Sequence, residues 1–294
     1  MRKYIFLDNW VLSKLTGAEI RHRLIAFLKS NDYTGLITSL LMTELYNPGW
    51  EIAAKEDRTV KAIDFLSEIP CVIVDPHKVF RAEINRYPDP LETMPVELDL
   101  QEIPDDQRAQ ILLLFMRRDI SFLNQGKDIE EWCENYKKLK DEWLNNAKSI
   151  IDHACNEGIL KQNKKGKFID LEKSKELFLL TLDLRHTDSA AEKDALLTKI
   201  IAEKSGGNWF DFLAIRVTSL CIWYSYVDID PSNIPPYKPS DIGDYYHIGL
   251  IPYCSAFTID NPMQKLLQRF REQHLLRDCA ILSEANLRTH LGIS

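Results

Sequence analysis

The sequence predicts an α/β fold: a three-layer αβα arrangement with a central parallel sheet, enlarged by a long helical insertion. Three observations predict it. Short apolar runs, such as Tyr4 to Leu7, Gly35 to Thr38 and Cys71 to Val74, have the length and composition of buried strands. Stretches with helical spacing separate them, the alternation that builds a parallel sheet with crossover helices. The same pattern returns near the end of the chain, after a middle region of different texture.

The first run, Tyr4 to Leu7, ends at Asp8, so a carboxylate stands at the carboxyl end of the first strand. Val11 to Leu28 follows with helical spacing, through Leu15, Ile20, Leu24 and Ile25, and breaks at Asn31 and Asp32. After Gly35 to Thr38 comes Ser39, then a helix from about Leu40 that carries Glu44. Pro48 and Gly49 punctuate. Trp50 to Ile69 reads as a helix with Ala53, Ala54, Ala62, Ile63 and Leu66 inward. Cys71 to Val74 ends at Asp75, which is expected on the far side of the sheet and outside the site.

Pro88, Pro90, Pro95 and Pro104 mark an irregular stretch. Beyond it, Asp105 to about Cys155 and Leu171 to Glu203 read as helices. A polar turn with Lys161, Lys164, Lys165 and Lys167 lies between them, a phosphate-binding candidate or a solvated hairpin or loop. Trp209 to Tyr226 is a strongly apolar helix. The boundaries are therefore residues 1–88 for the first part of the sheet domain, 89–235 for a helical insertion and 236–294 for the second part. No strand from 89–235 is expected in the sheet.

Pro239 to Met263 organises the rest. Ser240 suits an N-cap, which sets Asp241 at the first helical position, where the helix dipole favours a carboxylate. Asp244 lies one turn further in, on roughly the same face. His247 follows one turn later; it reads first as a hydrogen-bonded structural histidine and second as a group within reach of a metal or phosphate. After a turn at Pro252, Ser255 to Ile259 is a strand ending at Asp260, and Asp278 to Leu282 is a last one.

Composition bounds the function. Hydrophobic residues are 45% and charged residues 28%, ordinary for a globular protein, and the net charge of -7 argues against a generally basic surface. The six cysteines are scattered with no CxxC pair, which argues against structural zinc and for reduced thiols in a cytoplasmic protein. Only four apolar residues precede Asp8, too few for a signal peptide, and no run approaches a membrane span.

Asp8, Glu44, Asp244 and Asp260 are thus expected at one sheet edge. Converging carboxylates stay ionised together only around a cation, and all-oxygen ligands suit Mg²⁺ or Mn²⁺. Taken singly, each is better explained as a helix cap or a solvated strand end. Two such ions, about 3.5–4 Å apart, activate water against a phosphodiester. Rival chemistries are weaker. An aspartyl-nucleophile phosphatase wants a second carboxylate two residues after Asp8, where Trp10 stands. An Arg-x4-His ribonuclease would rest on Arg269 and His274 alone.

The runs YIFLD, ITSLLMTEL, DxxHI and FTID, in that order, resemble the PIN-domain family of metal-dependent ribonucleases. The resemblance covers roughly residues 1–87 and 236–294. It implies catalytic and metal-binding carboxylates at Asp8, Glu44, Asp244 and Asp260. It also implies supporting hydroxyls at Ser39 and Thr258. Asp241 would join the metal set through water, and Asn9 and His247 would support it. The sequence departs from the family at Asn9 and Trp10, where Thr or Ser and then Asn are usual, and at Ser255, where many members have Asp. The resemblance further implies an RNA substrate, a toxin or defence role, and an inhibitor (antitoxin) protein as partner. An oligomer is compatible with it, and no membrane is. The alternative is a catalytically inactive scaffold that binds RNA or protein through the helical insertion.

Overall fold

The computed structural model describes residues 2–38, 41, 45, 52–86, 89, 91–124, 156–158, 160–163, 166–169, 214, 217, 244, 247–260, 263, 264, 267 and 279–293. The chain divides into two compact units: Met1–Asp75, Pro95–Tyr136 and Tyr253–Ser294 form the first, Pro76–Met94 and Lys137–Pro252 the second. These bounds differ from the three segments expected from proline punctuation.

The first unit is built on a six-stranded sheet. Its strands are β1 (Lys3–Phe6), β2 (Tyr33–Thr38), β3 (Cys71–Val74), β4 (Leu98–Asp99), β7 (Ala256–Ile259) and β8 (Ala280–Ser283), in the order β4-β3-β2-β1-β7-β8. All neighbours are parallel except β3 and β4. The fold is therefore α/β with a mixed sheet. The interior strands read as unbroken apolar runs because both faces are covered: β3 and β7 are buried throughout, and β2 after its first residue. Phe6 of β1 stacks on Phe257 of β7 with ring centroids 4.4 Å apart. Such pairs add about 0.5–1.5 kcal/mol beyond the area they bury.

The helices of this unit are α1 (Asn9–Lys14), α2 (Ala18–Ser30), α3 (Ile52–Ser67), α5 (Asp105–Asn124) and α6 (Glu284–His290). One helix was expected from Val11 to Leu28. The chain instead breaks at Leu15 to Gly17 and starts again at Ala18, with Gly17 as an extended N-cap. Leu41 and Leu45 are helical and buried, in keeping with a helix after β2, and the Thr38 hydroxyl accepts from the Leu41 N–H at 2.9 Å as the chain enters it. α3 packs on α1 and α5, and α6 packs on β7 and β8.

β4 corrects the expectation that no strand from 89–235 joins the sheet. It pairs antiparallel with β3, Val72 to Asp99 and Ile73 to Leu98, extended by a bond from the Glu97 N–H to the Ile73 carbonyl at 2.9 Å. Two residues are too few to show strand periodicity, and the prolines around them mask the signal. A very short edge strand also leaves little open backbone for unwanted pairing.

The second unit contains α4 (Pro76–Arg86) and a separate two-stranded sheet, β5 (Leu160–Asn163) against β6 (Gly166–Ile169). Pro76 suits the first position of α4, where its missing N–H is no loss. Buried Glu83 on α4 accepts a 2.8 Å bond from the Ala214 N–H. The lysine stretch expected as a polar turn is this antiparallel hairpin. Asp244, His247 and Ile248 have helical backbone, and the expected turn at Pro252 is a 3-10 turn, Ile251–Tyr253, that carries the chain on towards β7. Among the described residues no helix is long and apolar enough to cross a membrane.

Candidate metal centre

The sheet order has one reversal. From β1 the chain moves to β2, β3 and β4 on one side, and later returns to β7 and β8 on the other. The reversal lies between β1 and β7, and such switch points, at the carboxyl ends of the strands, are where open α/β sheets bind ligands. Asp8 follows β1 and Asp260 follows β7, so the two predicted aspartates flank that point.

Asp8 is fixed by its neighbours. It is the N-cap of α1, and its Oδ1 accepts from the Asn9 N–H at 2.7 Å. Its carbonyl accepts from the N–H groups of Val11, at 3.0 Å, and Leu12, at 3.2 Å. Its own N–H donates to Thr258 Oγ1 at 2.8 Å, and the Thr258 hydroxyl donates to the Phe6 carbonyl at 2.9 Å. Thr258 is fully buried, so this hydroxyl pins the end of β1 to β7. The resemblance implied a supporting hydroxyl at Thr258; the geometry shows a backbone brace immediately before and at Asp8.

Burial sets the charge of Asp8. Desolvation pushes its carboxyl up from 3.8 to about 7; the Asn9 N–H pulls it down, and the nearby charge of Asp260 adds to the rise. The capping reading explains the bond to Asn9 but not a site that raises the cost of the charge it caps. Asp260 is exposed, and its Oδ1 accepts from the Met263 N–H at 3.2 Å while its carbonyl accepts from the Gln264 N–H at 3.1 Å. It therefore also caps the start of a helix.

Two further polar atoms beside Asp8 are buried with no hydrogen-bond partner among the described residues: Asn9 Oδ1 and Trp10 Nε1. Buried polar atoms are ordinarily paired, and exceptions mark sites completed by water, an ion or a ligand. An amide oxygen beside a carboxyl is the donor set that a hard cation takes. Trp10 was expected as a departure from the family pattern and as the residue that argues against a phosphatase. Its single signal was its place two residues after the strand-end aspartate.

Asp244 is half-buried and His247 is buried, three positions apart in helical backbone. Burial pushes the His247 imidazole down to about 3, so it is neutral near pH 7. A neutral imidazole is a metal ligand and not a phosphate-binding cation. Asp8 belongs to the first compact unit, and Asp244 and His247 belong to the second. Ser39, Glu44 and Asp241 lie outside the described residues, as do Arg269 and His274.

Fold and site together define an α/β protein with a half-buried and an exposed carboxylate, Asp8 and Asp260, at the switch point of a mixed sheet. No family model, curated protein or solved structure matches the chain.

Proposed function

We propose that this chain is a metal-dependent endoribonuclease of PIN-like type. It hydrolyses RNA phosphodiester bonds with Mg²⁺ or Mn²⁺ held by carboxylates. The observation that carries the reading is the Asp8 carboxyl: half-buried at the switch point, beside Asn9 with its orphaned amide oxygen, and raised to about 7 by desolvation with Asp260 adding to the rise. A group so placed takes up either a proton or a cation.

Asp8 would hold the ion, and the resemblance implies Glu44, Asp241, Asp244 and Asp260 as the rest of the acidic set. The bound ion would supply Lewis-acid polarisation of a phosphoryl oxygen and lower the pKa of bound water. The chain's own part is positioning. Thr258 and Asn9 hold the backbone and carboxyl of Asp8 in place. Burial keeps His247 neutral and able to ligate. Asp260, exposed, is open to substrate and solvent as well as to its capping bond. A toxin or defence role held in check by an inhibitor protein is the setting the resemblance implies; a small regulatory protein encoded next to this chain would support it.

Purified protein incubated with single-stranded RNA and Mn²⁺ tests the reading. Cleavage that stops with a chelator and with Asp8→Asn is expected; cleavage that survives chelation would overturn it.

A further inference from the structure

Building on the nuclease reading, we infer that the side-chain amide oxygen of Asn9 is a direct ligand of the divalent cation, a neutral donor next to the Asp8 carboxylate. The resemblance places Asn9 only in support.

Asn9 is the first residue of α1, and Asp8 is the cap of that helix. Asparagine suits caps and turns because its side chain bonds to nearby backbone. Here the cap position is already filled, and the Asn9 N–H already donates to Asp8 Oδ1 at 2.7 Å. The Asn9 Oδ1 is buried and makes no hydrogen bond. A buried acceptor without a partner costs the folded chain the desolvation of that group. Sequences keep such costs mainly at functional sites. Asn9 follows directly on Asp8 at the carboxyl end of β1, beside the switch point of the sheet.

The chemistry of the two side chains selects the occupant. An amide oxygen only accepts, and so does an ionised carboxylate. Two acceptors on neighbouring residues, one of them charged, are satisfied together by a positive ion. Hard divalent cations take amide and carboxylate oxygens in one shell. A phosphate oxygen, itself an acceptor, would be repelled by both. Size points the same way, because the Asn9 oxygen is closed to solvent. A Mg²⁺ bound at about 2.0–2.1 Å needs less room than a water hydrogen-bonded at about 2.7–2.8 Å.

The test is Mn²⁺ calorimetry on the full chain, with urea unfolding in chelator alongside, for wild type, Asn9→Ala and Asn9→Asp. Asn9→Ala should weaken Mn²⁺ binding at least about tenfold, the least that losing a supporting partner of a metal site typically costs. Freed of its orphaned acceptor, the same variant in chelator should unfold at a urea midpoint no lower than that of wild type. Asn9→Asp keeps an oxygen there, so it should bind Mn²⁺ at least as tightly as wild type and unfold at lower urea in chelator. Unchanged Mn²⁺ affinity in Asn9→Ala overturns the inference. So does affinity lost equally in Asn9→Asp, or affinity lost in Asn9→Ala together with a lower midpoint, the pattern of a merely structural residue. Asp8→Asn in the same titration separates the two claims. Binding lost in Asp8→Asn but kept in Asn9→Ala sinks only the Asn9 ligand, whereas wild type that neither binds Mn²⁺ nor cleaves RNA sinks the nuclease reading with it.

Discussion

Asp8→Asn should make the metal-free protein more stable at pH 8 than at pH 4, relative to wild type. The carboxyl binds its proton up to about pH 7 in the folded chain and only up to about 3.8 in its ordinary state. Between those values the folded state holds the extra proton, so the contribution of Asp8 is present below about pH 4 and is lost as pH rises towards 7. At about 1.4 kcal/mol per pH unit the loss approaches about 4 kcal/mol. Asparagine carries no charge to bury, and it remains a good N-cap able to accept from Asn9. Its amide N–H groups cost about 1–3 kcal/mol if they find no acceptor, but that term is the same at both pH values. The difference between variant and wild type should therefore change by about 4 kcal/mol from pH 4 to pH 8 in urea unfolding with chelator present. Mn²⁺ at a hundredfold excess over Kd should offset more than half of that change, because it stabilises wild type by about 2.7 kcal/mol and leaves the variant unmoved. A difference equal at pH 4 and pH 8 would refute the idea that Asp8 is a strained, cation-seeking carboxylate.

Thr258→Val should destabilise by about 2–4 kcal/mol, since it leaves the Asp8 N–H and the Phe6 carbonyl without their buried partner; Thr258→Ser should recover most of it in the same urea assay. His247, held neutral with its imidazole pushed down to about 3, should show no NMR titration between pH 5 and 8. The stability it contributes is present above about pH 6.5 and is lost as pH falls towards 3, so a titration near 6.5 would contradict its burial. Asp244→Asn should abolish RNA cleavage and weaken Mn²⁺ binding in calorimetry, whereas Asp241→Asn should only slow cleavage; the reverse order would mean the helix is set one turn differently. Arg21→Ala, which breaks an exposed pair with Glu68, should change stability by less than about 1 kcal/mol.

Much of the sheet was legible in the chain. Cys71 to Val74 is buried on both faces, so it carries an unbroken apolar run, and Ala256 to Ile259 is equally buried with only Thr258 interrupting its apolar residues. The strand-end positions of Asp8 and Asp260 followed directly from those runs. What was not legible has physical causes. β4 is two residues long and leaves no period to read. The break between α1 and α2 turns on Gly17, which a helical pattern of Leu15, Ile20 and Leu24 runs across. The adjacency of β1 and β7 joins residues 250 positions apart, and only that pairing turns Thr258 into a brace for Asp8. The unpartnered atoms of Asn9 and Trp10 depend on packing that no local pattern encodes.

The most direct measurement of the central claim is cleavage of a single-stranded RNA by purified wild type and Asp8→Asn across a titration of Mn²⁺ and chelator. The account predicts product that rises with Mn²⁺, vanishes with chelator and is absent at every metal concentration from the variant, which stays folded. Product formed equally with and without chelator, or equally by Asp8→Asn, would contradict it.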